Sequence, residues 1–357
     1  MNESNSRSNM AIQIERLSVD HLPAVRQLRR SQSSGDWPSE LSDDYFRWRY
    51  TGREESETLL AFDGDHCVAM LDSLSHSYRS GDSIIRVREP CEWLCLPEYR
   101  PHGLGLRLMG TFMKEPEPMF AMVGTWMTQD ILPRMGWKRL PDTINYTLPL
   151  TSGALADSLL GRLRLPVGKF RTRLAHTVSF PVWHRRSKTP TADSAISEHV
   201  PGDPLPLVEQ STDYALACIS NQWESAWLDQ APQDMGEFFW LVAYVADEPV
   251  GLTISRLFRQ RGAPLANLLH VQANQRSSEL YEWLIIATAR FLARRGAAKI
   301  NCRASCPTFS AALKHAGFIK RSRTPAFWWS KDGSGLSGTL HMTQWRADEF
   351  IRPYPCT

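Results

Sequence analysis

The sequence predicts an α/β chain built as two mixed α+β sheets in tandem, each flanked by helices. Three observations carry this. At 357 residues the chain is too long for one ordinary core and suits two. The order of elements in residues 11–150 recurs in residues 205–357, so two copies of one fold is the economical reading. In the first copy, a strand through Cys95 runs into a glycine loop and then directly into an amphipathic helix.

The elements of the first copy follow in order. Residues 1–10 are polar and expected to be disordered. A strand starts at Ile12, and Ser18-Val-Asp-His caps a helix through Val25 and Leu28. Tyr45-Phe-Arg-Trp-Arg-Tyr50 is aromatic and basic. Thr58–Phe62 and Cys67–Leu71, joined at Asp63-Gly-Asp65, read as a hairpin. Ser83–Val87 and Cys91–Leu96 read as two further strands, and Gly103–Met113 as a helix with Leu104, Leu108 and Phe112 on its apolar face. A strand at Met119–Val123, a helical turn over Gln129–Met135 and a strand at Thr143–Leu148 complete it.

Residues 151–204 are basic, polar and proline-rich, and read as a connector whose charges form a solvated face. The second copy then repeats the pattern. Strands at Leu241–Val245 and Pro249–Ile254 flank an acidic turn, and a strand at Leu265–Val271 precedes a helix from Ser278, capped by Ser277, to Gly296. Lys299–Cys302 is a strand and Thr308–His315 a helix. Arg134-Met-Gly-Trp137 matches His315-Ala-Gly-Phe318. The aromatic run Phe327-Trp-Trp329, with Trp345, reads as core in a chain with 13 tryptophans.

Composition narrows the classes. Hydrophobic residues make up 42% and charged residues 22%, as in ordinary globular chains. A net charge of +3 gives no argument for nucleic acid. No apolar run reaches the length that spans a bilayer, and the N-terminus lacks a signal-peptide core. Seven scattered cysteines point to reduced thiols and a cytoplasmic location. Cys91/Cys95 and Cys302/Cys306 lack the spacing and histidine partners of a zinc site, so no metal is expected.

The chemistry concentrates in Trp93-Leu-Cys-Leu-Pro-Glu-Tyr-Arg-Pro-His-Gly-Leu-Gly-Leu-Arg-Leu-Met109. Gly103 and Gly105 permit close backbone approach to a bulky anion. The unpaired amides at the following helix start, and the helix dipole, favour that anion. Arg100 adds a charge-assisted contact. This is a diphosphate cradle.

The segment resembles the acyl-CoA motif of the GNAT N-acetyltransferase superfamily, carried here by Cys95, Pro97, Glu98, Arg100, Gly103 and Gly105. The resemblance extends over 10–150, where Phe46–Tyr50 and Gly136-Trp137 match family segments, and the whole chain resembles tandem GNAT proteins of biosynthetic gene neighbourhoods. It implies a GNAT domain at 11–150 and a second, degenerate GNAT-like domain at 205–357. It implies acetyl-CoA or another acyl-CoA as cosubstrate, held by Leu94, Cys95, Leu96, Arg100, Pro101, His102, Gly103, Leu104, Gly105 and Leu106. The second copy reads Gln272-Ala-Asn-Gln-Arg-Ser-Ser-Glu279 at the matching place, with no glycine and with a carboxylate where a pyrophosphate should lie. It is expected to shape the acceptor cleft or to serve as a dimer surface.

The implied reaction moves an acyl group, acetyl in the simplest case, to a primary amine of a small molecule or amino sugar. Glu89 and Glu92 are the candidate catalytic carboxylates, each also readable as a strand-edge surface residue. The tyrosine that the family uses as proton donor is replaced by Leu132, leaving water or a residue such as Tyr146. Two alternatives stay open: a donor that is aminoacyl-tRNA or a carrier-protein thioester, and a CoA-binding scaffold without catalysis.

Overall fold

The computed structural model describes residues 12–32, 42–53, 56–122, 125–151, 154, 193–200, 202–220, 222–260 and 262–343. The 1–10 segment, most of the 151–204 connector and Trp345 lie outside the described residues. The first half begins with β1 (Gln13–Arg16), then α1 (Leu22–Gln32) and α2 (Asp43–Tyr50). Next come β2 (Ser56–Asp63), β3 (His66–Ser80) and β4 (Ser83–Cys95). The two strands expected on either side of Pro90 are thus one continuous strand. α3 (Leu104–Phe112), β5 (Met119–Met122), α4 (Trp126–Arg134) and β6 (Lys138–Pro149) follow.

The second half opens with β7 (Ser194–Glu198), which falls within the stretch expected as connector, and β8 (Leu216–Cys218). Then come α5 (Gln222–Asp229), β9 (Glu237–Val245), β10 (Glu248–Gln260), β11 (Ala263–Ala273) and α6 (Ser278–Arg294). β12 (Lys299–Ala304), α7 (Pro307–His315), β13 (Ile319–Trp329) and β14 (Leu340–His341) end the described chain.

Among the described residues, fourteen strands join in one sheet, whose main path runs β1-β2-β3-β4-β5-β13-β6-β12-β11-β10-β9-β7. Each half places one strand, β6 or β13, among the strands of the other. β13 lies between β5 and β6, and β6 lies against β12. The parallel pair β4–β5 in the first half is matched by the parallel pair β11–β12 in the second. On the far side, β8 pairs with β3 and with β14, and Thr343 bridges Ala304 at the end of β12. These contacts close a ring of strands.

Inside lies a core to which both halves contribute Tyr78, Phe120, Leu140, Leu216, Ala326, Trp328 and Met342. α1 and α2 pack on this side, with Val25, Leu28, Tyr45 and Phe46 in the same core. The opposite face of the first half is covered by Leu104, Leu108, Met109 and Phe112 of α3 and Leu132 of α4. That spacing is the apolar stripe of an amphipathic helix, and each fully buried Leu contributes about 1.5–3 kcal/mol. α6 and α7 cover the matching face of the second half.

Candidate functional site

The residues from Leu94 to Leu106 form one loop and helix start at the carboxyl end of β4. Pro97–His102 makes a 3-10 turn, closed where the Gly103 amide donates to the Arg100 carbonyl at 3.1 Å. Gly103 has φ +67, a left-handed conformation that a side chain disfavours. Gly105 is small for another reason. A Cβ there would lie 2.9 Å from Trp93 Nε1, and that indole N–H donates to the Gly105 carbonyl at 3.0 Å.

The N-cap of α3 is Gly103, which has no side chain to cap the helix. The first amides of a helix have no partner within it, so this end attracts an anion through both its donors and its dipole. Arg100 donates through Nε to the Cys95 carbonyl at 2.9 Å and through Nη2 to Gln32 Oε1 at 3.2 Å. It braces the loop while keeping its charge at the surface. The Tyr99 hydroxyl donates to Asp63 at 2.6 Å and ties the loop to the β2–β3 turn. Leu94, Cys95 and Leu96 are half-buried, Leu104 is buried, and Pro101, His102 and Leu106 are exposed. These residues fit a diphosphate: an uncapped helix start, backbone freed of side chains, and a cation beside it.

Next to the loop the sheet opens. β4 and β5 share one pairing, Arg88 with Met119, and diverge beyond it. β4 also bulges against β3, where the register slips between the Met70–Leu94 and Asp72–Cys91 pairs. Glu92 sits in this bulge at φ +47, a conformation that costs a non-glycine residue roughly 1–2 kcal/mol. Its Oε2 accepts from the Tyr50 hydroxyl and from Arg29. Burial alone would raise the Glu92 carboxyl, but Arg29 and Arg49 outweigh it and hold it below the ordinary carboxylate range. Asp72 accepts from Arg49, from Thr58 at 2.6 Å and from the Cys91 thiol at 3.2 Å. There burial wins, and the Asp72 carboxyl is raised. α1 and α2 thereby clamp the bulge through buried charge. Glu89 is buried on the same face, one step past the Arg88–Met119 pair, and takes the Tyr78 hydroxyl hydrogen bond.

The second half repeats the opening but fills it. β11 slips register against β10 at Ile254/Ser255, and β11–β12 pairing stops at Leu268–Cys302. The chain's own residues 340–343 occupy the gap. The His341 ring donates through Nε2 to the Val271 carbonyl at 2.7 Å, and the Ser305 amide donates to the Met342 carbonyl at 3.2 Å. The loop between strand and helix shrinks to residues 274–277. Ser277 Oγ accepts from the Leu280 amide at 3.2 Å and donates to Glu279 at 2.9 Å. This helix start is already capped, and by a carboxylate-bearing turn.

Cys306, at the start of α7, packs with His341 and lies 3.8 Å from the Tyr214 hydroxyl. Burial alone would raise its thiol, but His341 and the Phe309 amide outweigh it and bring it down to about 7.

The loop and the two carboxylates named from the sequence, Glu89 and Glu92, lie at the carboxyl-terminal part of β4 and just beyond it. Arg29, Arg49, Tyr50 and Asp72 were not anticipated; the alternating aromatic–arginine run of α2 was a signal for Arg49 and Tyr50 alone. Leu132 is the core residue of α4, and Tyr146 packs in the core of the second half, with no hydrogen-bond partner for its hydroxyl among the described residues.

No family model matches the sequence, and no curated protein matches it. Solved structures do. A GCN5-related N-acetyltransferase from Anabaena variabilis superimposes with a TM-score of 0.56 at 13% identity, over 90% of this chain and 73% of that one. Saccharomyces cerevisiae N-myristoyltransferase with bound myristoyl-CoA gives 0.54 at 11% identity, over 89% and 82%. A tandem GNAT protein from the clavulanic acid biosynthesis pathway gives 0.54 at 12% identity, over 91% and 99%. The chain has the tandem GNAT fold.

Proposed function

We propose that the protein is an acyl-CoA-dependent N-acyltransferase, with its one working site in the first half and a primary amine of a small molecule or amino sugar as acceptor. The observation that carries this reading is the uncapped α3 start behind the left-handed Gly103, set at the mouth of the β4–β5 opening. The α3 amides and Arg100 would hold the CoA pyrophosphate, and the thioester supplies the activated acyl group. The neighbours named for N-acetyl and N-myristoyl transfer share the fold that surrounds this opening.

Glu89 is the better candidate for the proton acceptor from the amine. It lies at the apex of the opening on the α1–α2 face. Glu92 is held ionised by two arginines, which makes it a weak base and a brace for the bulge. With an apolar Leu132 on the buried face of α4, the leaving thiolate takes its proton from water.

The test is to incubate the full chain with acetyl-CoA and a panel of primary amines. Free CoA thiol and acylated products are then followed by mass spectrometry. Stoichiometric transfer to at least one amine class is expected. CoA binding with no transfer to any amine would leave the scaffold reading in its place.

A further inference from the structure

Where the β4–β5 opening narrows, it meets a wall of aromatic rings. Phe120 on β5 and Trp328 on β13 are direct partners across the pairing and point to the same side. The Tyr78 ring lies 6.5 Å from Phe120, and its hydroxyl reaches Glu89. Tyr78 and Phe120 are 0% exposed and Trp328 3%, so no water-sized space touches Tyr78 or Phe120 and almost none touches Trp328. The other side of the opening is filled by Met119 and Ala121 against Leu104, Leu108 and Phe112. An acyl group entering between β4 and β5 therefore stops at these rings. One of them comes from the second half, on its exchanged strand.

We propose that Trp328 is a specificity-determining residue: delivered by the second half, it closes the acyl end of the first half's site and restricts the donor to short acyl groups. This rests on the acyl-CoA reading above, and it gives the strand exchange a function, since the first half alone supplies only Tyr78 and Phe120 and lacks the third ring. The Trp328 indole N–H has no acceptor among the described residues, so the ring is held by shape. Shortening it removes volume without orphaning a partner. The freed space is apolar, and longer chains gain by burying methylene groups there.

The test is calorimetric binding of CoA, acetyl-CoA and octanoyl-CoA to the full chain and to Trp328→Ala, Trp328→Leu and Trp328→Phe. The wild type is expected to bind octanoyl-CoA no better than CoA. Trp328→Ala or Trp328→Leu should improve octanoyl-CoA binding by about tenfold or more while acetyl-CoA stays within about threefold. Trp328→Phe should keep the wild-type order. Two variants of different size, with Phe120→Ala as a third opening of the same wall, keep the test informative if one fails to fold. An unchanged chain-length order in the folded variants would overturn the inference while leaving CoA binding intact. A wild type that binds none of the three ligands would overturn the acyl-CoA reading itself.

Discussion

The indoles of Trp48 on α2 and Trp227 on α5 stack 4.3 Å apart at an angle of 3°. Each donates its N–H to the other's backbone carbonyl, at 2.8 and 3.0 Å. The pair joins the two halves by a reciprocal contact, and the exchanged strands β6 and β13 make the same join within the sheet.

Trp48→Ala and Trp227→Ala should each lower stability by about 3–5 kcal/mol. The double variant should lose less than the sum, since both changes remove the same contact. Urea unfolding of the full chain should show one transition, because neither half completes its sheet alone. Two separated transitions, or strictly additive losses, would contradict the shared core.

Glu92→Gln leaves Arg29 buried without its charge partner. A broken buried ion pair of this kind costs about 3–5 kcal/mol. The loss should appear in urea unfolding, with helices α1 and α2 loosened first in hydrogen exchange. A change below about 1 kcal/mol would show that the bulge does not depend on this clamp.

Glu89→Gln should behave differently. Turnover should fall by on the order of 10²-fold while acetyl-CoA affinity holds. Near-normal turnover with an unchanged pH profile would remove Glu89 as a base and leave positioning of a neutral amine as the mechanism.

Cys306 should be the thiol that ionises first. A thiolate absorbance step near pH 7 is expected in the folded protein and should be lost in Cys306→Ser. The folded-state value lies below the ordinary value of 9.0, so between those two limits the unfolded chain binds more protons. The stabilisation is therefore fully present above the upper limit and is lost as pH falls through about 7. Cys302 and Cys67 move the other way, since burial raises both. A step that survives Cys306→Ser would show that the His341 contact does not act on the thiol.

The loop was legible because its chemistry is local. Two glycines, an arginine and a helix start lie within a few residues, and the shape they make depends on few distant contacts. The strands were legible in kind but not in extent. Pro90 looked like a break between strands, yet β4 continues through it to the bulge at Glu92, whose positive φ is stabilised by Arg29 and Tyr50 from distant helices. The strand exchange left no mark, because alternation shows that β6 and β13 are strands and says nothing about their neighbours. Glu279 signalled that the second half departs from the pattern. The plug formed by residues 340–343 did not, since it depends on where the chain returns in space.

The proposed function places one acyl-CoA site on the chain, in the first half. The most direct measurement is calorimetric titration of the full chain with acetyl-CoA, alongside Gly103→Glu and Ser278→Glu. One site per chain is expected. Gly103→Glu, which forces a side chain into a left-handed position and a carboxylate into the anion cradle, should lose at least about tenfold in affinity, and Ser278→Glu should change nothing. Two sites per chain, or binding that survives Gly103→Glu but is lost in Ser278→Glu, would contradict it.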